Sequence, residues 1–391
     1  MAGSGPLVAR LSAAAGVAGA AVSAGAQFLV VIVVTRTLAP REAGEFFAAT
    51  ALILMVGGIL RLDAGNGVIY FLARGRDPFL AALAPSFALS LLAAVPLGLA
   101  VGSPVAGALL PFVVVADVLL AASRAGGSMR LTFALDGVGR PVAQLALVTL
   151  TAGSVAAWAA PALPVAVVAA AVALRKPDER VGFGEFWTYA GPRAGAAAVQ
   201  AVFQRLDVVI VAMLAGPAPA AVYTAATRFK VVGQLINQGL AQAVQPRLVR
   251  ALADGDLGKA RDLYRSSTRW LVLLTWPIWI GYAALAPWLL DAFGPAYAHG
   301  LPVTFVLAAT MLVATACGMV DVVLIASGRT ASSLANTVAA VAVSVVVDLV
   351  LVPRLGATGA ALGWSAGVLV KNLLPLIQLT RRDGLWAEAA R

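Results

Sequence analysis

Apolar runs long enough to cross a bilayer, each bounded by charge, Gly or Pro, recur from one end of this chain to the other. A hydrocarbon layer about 30 Å thick is crossed by roughly 20 helical residues, because the helix satisfies its own backbone hydrogen bonds where no water can. Read this way, the sequence predicts twelve helices at 11–35, 46–73, 79–101, 104–122, 138–158, 160–174, 187–215, 219–246, 269–291, 301–326, 330–352 and 357–380. The division between the fifth and sixth, in Ala-rich sequence around Pro161 and Pro164, is the weakest. The stretch Arg124 to Arg140 reads as a loop or an interfacial segment. The first run, Leu11 to Thr35, is longer than a signal-peptide core of about 7–15 residues and is read as a retained helix. With 61% of the 391 residues hydrophobic and 12% charged, the expected fold is an all-α polytopic membrane protein.

Charge then sets the orientation. The net charge of +10 would point a soluble protein toward nucleic acid, but here position matters more than sum, because cytoplasmic loops retain Lys and Arg. With the N-terminus inside, nineteen of the 28 basic residues fall in cytoplasmic segments. Three (Arg36, Arg41 and Arg354) fall outside, and six lie within spans. That asymmetry predicts both termini in the cytoplasm, an even number of spans and a multi-pass protein of a bacterial inner membrane, with no nucleic-acid partner. Only four Lys among so much Ala, Gly, Arg and Val suggests a GC-rich source. The lone Cys317 and lone His299 exclude a disulfide scaffold, a cysteine-rich metal site and His-based zinc or triad chemistry. Short outer connections leave no room for a catalytic domain, and no phosphate-cradling glycine motif is present. The chain is read as a non-enzyme without metal or cofactor, driven by its substrate or by a coupling proton or Na+.

An internal repeat appears at an offset of 177 residues: Ala39-Pro40-Arg41 through Ala48-Ala49-Thr50 matches Gly216-Pro217-Ala218 through Ala225-Ala226-Thr227. Six helices separate the copies, so the halves share one orientation and are related by an axis along the membrane normal. The charged segment Arg175 to Glu185 falls between them. The expected organisation is an N-terminal lobe, 1–180, and a C-terminal lobe, 181–391, two pseudo-symmetric six-helix lobes around a central cavity.

Charged groups inside a span cost roughly 2.5–3.5 kcal/mol each on insertion scales, so each needs a cavity, a partner or an interface. On the eighth helix Lys230, Gln234, Gln238, Gln242 and Gln245 recur every three to four residues and share one face about 22 Å long. The competing explanation is interhelical glue. Through the repeat, Gln238 maps onto Arg61, and Gln234 and Gln242 map onto Gly57 and Gly65. Arg61 is therefore placed opposite Lys230 and Gln238 across the pseudo-axis, the glycines leaving room for an anion; simple pairing with Asp63 is the alternative. Arg205 and Arg228 sit at equal distance from the Gly216-Pro217 turn with Asp207 close by, where a locking salt bridge competes with a substrate role. Lys371 in the last helix is a further cavity candidate, while Arg193 reads as a snorkelling interfacial residue. Asp117, Asp207 and Asp321 are the candidate coupling carboxylates, with pairing to Arg as the alternative, and Asp348 is expected to be solvated near the outer interface.

The run Val34-Thr35-Arg36-Thr37-Leu38-Ala39-Pro40-Arg41-Glu42-Ala43-Gly44-Glu45-Phe46, followed by Leu62-Asp63-Ala64-Gly65, resembles the first hairpin of the polysaccharide transporter family. Ala326-Ser327-Gly328-Arg329 and Val352-Pro353-Arg354-Leu355-Gly356-Ala357-Thr358-Gly359-Ala360-Ala361 resemble its last two hairpins. That family belongs to the multidrug/oligosaccharidyl-lipid/polysaccharide exporter superfamily and includes O-antigen and capsule-precursor flippases. The resemblance implies two lobes around a V-shaped cavity, alternating access, and movement of a polyprenyl-pyrophosphate-linked oligosaccharide between leaflets for surface polysaccharide synthesis. The implied partners are the lipid-linked glycan, membrane lipids and glycan-polymerising enzymes. Arg61 and Lys230 would meet the pyrophosphate, Gln234 and Gln238 the sugars. The alternatives are a multidrug antiporter, which would favour an acidic cavity, a peptidoglycan-precursor flippase, which needs the same anion chemistry, and a non-transporting scaffold for glycan-assembly enzymes.

Overall fold

The computed structural model describes residues 6–125, 130–173 and 179–380, apart from the side chains of 6–17, 231, 232 and 234. Among them no β-strand occurs, and Asp77 and Arg180 form an isolated bridge. The chain divides into two compact units, Met1–Val209 and Ile210–Arg391.

The first unit contains α1 (Pro6–Thr37), α2 (Pro40–Leu60), α3 (Ala64–Leu72), α4 (Phe79–Ala100), α5 (Pro104–Ala108), α6 (Leu110–Ala125) and α7 (Arg130–Thr132). A π-helical turn, Phe133–Gly139, leads into α8 (Arg140–Leu150), α9 (Val155–Ala159), α10 (Ala162–Ala173) and α11 (Phe183–Leu214), whose last turn crosses into the second unit. The second unit continues with α12 (Pro217–Thr227), α13 (Lys230–Ala253), α14 (Leu257–Ala284), α15 (Ala286–Asp291), a 3₁₀ turn at Pro295–Gly300, α16 (Leu301–Ala316), α17 (Val320–Ala326), α18 (Thr330–Leu355) and α19 (Ala357–Thr380).

Nine helices among the described residues are long and apolar enough to span a membrane, and the protein is an all-α polytopic membrane protein. The other three of the twelve segments read from the sequence are helical but interrupted or polar. The fifth is cut short by the turn at Ala152 and Gly153, the eighth is diluted by its glutamines, and the ninth begins as a charged helix at Leu257 rather than at 269. The boundary between the fifth and sixth lies at 151–154 rather than at 158–160, because Ala152 (φ 48) and Gly153 (φ 87) turn the chain there.

The repeat is visible in how the copies begin. Pro40 and Pro217 each open a helix at its first position, where a missing N–H costs nothing. They diverge at its end: the first copy breaks after Leu60 and the second after Thr227, 167 residues on rather than 177. Both helices predicted as continuous, 46–73 and 219–246, are therefore broken.

Burial by each unit is local. In the first, Phe71, Phe186 and Ala190 join α6 and α10 in one core, and Tyr70 stacks on Tyr189 with centroids 3.9 Å apart. The backbone of Asp77 exchanges hydrogen bonds with Glu179 and Val181 (2.7 and 2.8 Å), so the chain entering α11 is strapped to the α3–α4 loop. Arg76 adds pairs with Glu185 and Glu179, and the Glu185 carboxylate holds its guanidinium above the ordinary arginine range. In the second, α18 and α19 lie against each other through Gly359 and Gly363, a small-residue spacing that lets backbones approach. Gly359 meets the backbone of Leu351 and Val352, and Gly363 meets the Asp348 carboxylate. Asp348 is 1% exposed, contrary to its expected solvation, because the missing Gly363 side chain opens the slot that receives it.

Candidate functional site

The break after α2 is strained. Leu62 (φ 51) and Asp63 (φ 54) are two consecutive left-handed residues, and with Ala152 they are the positive-φ non-glycines of the described chain. Such a conformation costs about 1–3 kcal/mol per residue and persists where surroundings enforce it, often at functional sites. Here the surroundings are close: a Cβ at Gly58 would sit 2.7 Å from Ala201, and one at Gly67 would sit 2.6 Å from Phe186, both on α11. Gly65 is held 3.3 Å from Ala121 by the same measure, and Gly57 meets Val113 at 3.8 Å. The glycines flanking Arg61 thus let α6 and α11 approach; they do not leave the space for an anion that the sequence reading gave them.

Arg61 caps the C-terminus of α2, where the helix dipole favours a cation. Its Nη1 donates to Asp117 Oδ2 of α6 at 2.6 Å, so its partner is Asp117 and not Asp63. Arg140, at the start of α8, donates to the other oxygen of Asp117 at 3.0 Å and to Asp136 of the π-turn at 3.3 Å. The chain Arg61–Asp117–Arg140–Asp136 is open at both ends and closed at Arg140: the Arg61 and Asp136 side chains are each 42% exposed and that of Arg140 is 10%. Arg205 on α11 lies within electrostatic reach of Arg61 and Asp207, and Asp207 is buried. Below the break, Asp63 accepts from Arg193 (2.7 Å) and Asn66 (2.6 Å), so Arg193, read from the sequence as a snorkelling residue, is a pair member.

Asp63→Asn is expected to leave thermal stability within about 1 kcal/mol, since the Arg193 side of the pair is half exposed and Asn tolerates the left-handed backbone. Asp63→Val should cost at least about 2 kcal/mol, because a β-branched side chain is a true outlier there. Equal melting shifts for the two variants would show that the backbone at this break carries no strain.

In the second unit Arg228 holds the place that Arg61 holds in the first, capping α12 where the helix breaks. Two residues on, Lys230 opens α13 with its ammonium 4.2 Å from the Trp364 ring centroid and 5.6 Å from that of Tyr223. Such cation–π contacts fix a charge without neutralising it. Along α13, Gln238, Gln242 and Gln245 are exposed, while Gly233 packs against Trp279 and Leu248 is buried on another side. The side chain of Gln234 lies outside the described residues. Lys371 is half-buried two turns beyond Trp364 on one face of α19. Asp321 accepts from Ser333 Oγ at 2.6 Å, a local link between α17 and α18.

Sequence reasoning missed four members. Arg140 was assigned to a cytoplasmic segment but is 9% exposed, drawn in by two carboxylates; its spacing of four from Asp136 was the available signal. Asp136 went with it. Trp364 and Tyr223 carried none, since nothing in an aromatic residue of an apolar helix marks it as a seat for a lysine.

The family described as lipid II flippase MurJ matches residues 101–390. No curated protein sequence matches the chain. Among solved structures, lipid II flippase MurJ in an inward closed conformation is similar with a TM-score of 0.75 at 11% identity, covering 94% of this chain and 87% of that one. A multidrug resistance MATE family transporter of the MOP superfamily, inward-facing, is similar with a TM-score of 0.73 at 17% identity, covering 94% of each chain. A MOP superfamily transporter from Pyrococcus furiosus gives 0.60 at 15% identity, covering 98% of this chain and 95% of that one. At these identities the structural likeness speaks for the fold.

Proposed function

We infer that this chain, which belongs to the lipid II flippase MurJ family, carries a polyprenyl-pyrophosphate-linked peptidoglycan precursor from one leaflet to the other. The family assignment moves the cargo away from the surface-polysaccharide intermediate suggested by the hairpin resemblances and toward the peptidoglycan precursor, which asks for the same anion chemistry. The turn motifs that carried the resemblance encode backbone geometry rather than cargo.

The observation that carries the reading is an arginine at the break of the first helix of each repeat, Arg61 after α2 and Arg228 after α12. A substrate with an anionic head needs cations that can be offered and withdrawn. Arg61 suits this because Asp117 keeps its second partner, Arg140, when Arg61 turns to a phosphate, so no carboxylate is stranded. Lys230, seated on Trp364, is assigned the same role, and the exposed amides of Gln238 and Gln242 are suited to sugar hydroxyls. Arg205 and Lys371 are assigned supporting electrostatic roles. A coupling proton or Na+ remains a proposal; at Asp117 it would require one of the two guanidinium contacts to open. The cytoplasmic placement of both termini rests on the charge asymmetry.

The test is translocation of fluorescent lipid II in proteoliposomes. Arg61→Gln with Lys230→Gln is expected to lower the rate at least tenfold while the protein reconstitutes normally. A rate within twofold of wild type would remove both residues from the cargo path. Equal transport of an undecaprenyl-linked O-antigen unit would restore the polysaccharide reading.

A further inference from the structure

We propose that Arg265, Ser266 and Arg269 on α14 form a binding site for the phosphate of an anionic phospholipid, which anchors this helix in one leaflet. α14 has two faces. Ala260, Ser267, Leu271, Thr275, Trp279 and Tyr282 are buried, and the opposite face is open. On that open face Leu273, Trp276 and Ile280 are 64%, 38% and 55% exposed, spaced as one helical stripe. Continuing the stripe toward the N-terminus by i−4 steps reaches Arg269 and then Arg265, both exposed, with exposed Ser266 between them.

Depth fixes what the arginines meet. Trp270 is 57% exposed, as expected of a residue in an interfacial aromatic belt. From Trp270 to the end of α14 at Ala284 the helix rises about 21 Å, most of the roughly 30 Å hydrocarbon thickness. Arg269, next to Trp270, therefore stands at the hydrocarbon edge. Arg265 lies about 6 Å further out, inside the headgroup layer. Neither makes an ion pair among the described residues. One turn before them, the exposed Asp262 shares a recess with Ser266 on the same side of the helix, so two guanidiniums outnumber the one carboxylate that flanks them. A face whose inner half meets acyl chains meets headgroups where it continues; two guanidiniums and a hydroxyl there fit a phosphate oxygen set.

The experiment is lipid retention by the full-length protein in micelles carrying equal phosphatidylglycerol and phosphatidylcholine of the same acyl chains, read by native mass spectrometry. Wild type is expected to retain phosphatidylglycerol preferentially. Arg265→Gln with Arg269→Gln should lower that preference at least fivefold, the equivalent of about 1 kcal/mol for one basic residue near an anionic surface. The doubly Lys-substituted protein should keep most of it, and matching melting curves will show that both variants are folded. An unchanged preference in the Gln pair overturns the site, as does equal loss in the Lys pair. Displacement of the lipid by millimolar inorganic phosphate would assign a soluble anion instead and overturns it as well. Translocation of lipid II is a separate readout, so failure here leaves the cargo assignment untouched.

Discussion

Asp117→Ala is expected to abolish lipid translocation and to lower the stability of the first unit by roughly 2–4 kcal/mol, the lower part of the range for stranding a buried partner because Asp117 retains 22% exposure. The cost arises less from the lost attraction than from what remains. Arg140, with its side chain 10% exposed, would keep only Asp136 at 3.3 Å, and Arg61 would lose its carboxylate at the mouth of a strained break. The paired variant Asp117→Ala with Arg61→Gln removes both sides of the outer contact. It should be less destabilised than the sum of its singles, a coupling of about 0.5–3 kcal/mol in a double-mutant cycle. Thermal melting of the purified protein in detergent gives the stability arm and proteoliposome transport the functional one. Wild-type melting and transport in Asp117→Ala would show that the four-residue ionic chain serves neither purpose.

The second large effect concerns the α18–α19 hairpin. Gly363→Ala adds one methyl where the Asp348 carboxylate already sits, and neither the helix backbone nor a buried charge can yield cheaply. Overpacking of this kind costs about 1–3 kcal/mol, and displacing an interior carboxylate adds to it. The matched control is Gly281→Ala on α14, where an added Cβ meets nothing within 4 Å. There the change should stabilise by up to about 1 kcal/mol through helix propensity alone. The same substitution thus shifts melting in opposite directions at two helical glycines. Shifts of equal size and sign would mean that Gly363 does not govern the packing of α18 on α19.

The two halves of the site differed in how much the sequence revealed. Arg61, Lys230 and Asp117 could be singled out because a charge within an apolar run is conspicuous, and the Gln238 and Gln242 face followed from helical periodicity. Their partners could not. Arg61 lies 56 residues from Asp117, and nothing local distinguishes Asp117 from nearby Asp63 as its acceptor. The glycines beside Arg61 show the same limit: a missing side chain gives space either to a ligand or to a neighbouring helix, and only the approach of α6 and α11 decides between them. The partners of Arg140 stayed hidden because an Arg near the start of an apolar run looks the same whether it meets water or a buried carboxylate.

The amino-acid order alone determined that this is a membrane-embedded helical chain, where its apolar segments lie and that its halves begin alike, because hydrophobicity and Pro positions act within a few residues of themselves. Tertiary structure decided where helices break, which carboxylate each arginine holds, and that Asp348 is buried rather than solvated. Those outcomes depend on residues distant in the chain being brought within a few ångströms, where burial and charge pairing outweigh the local preferences that a sequence displays.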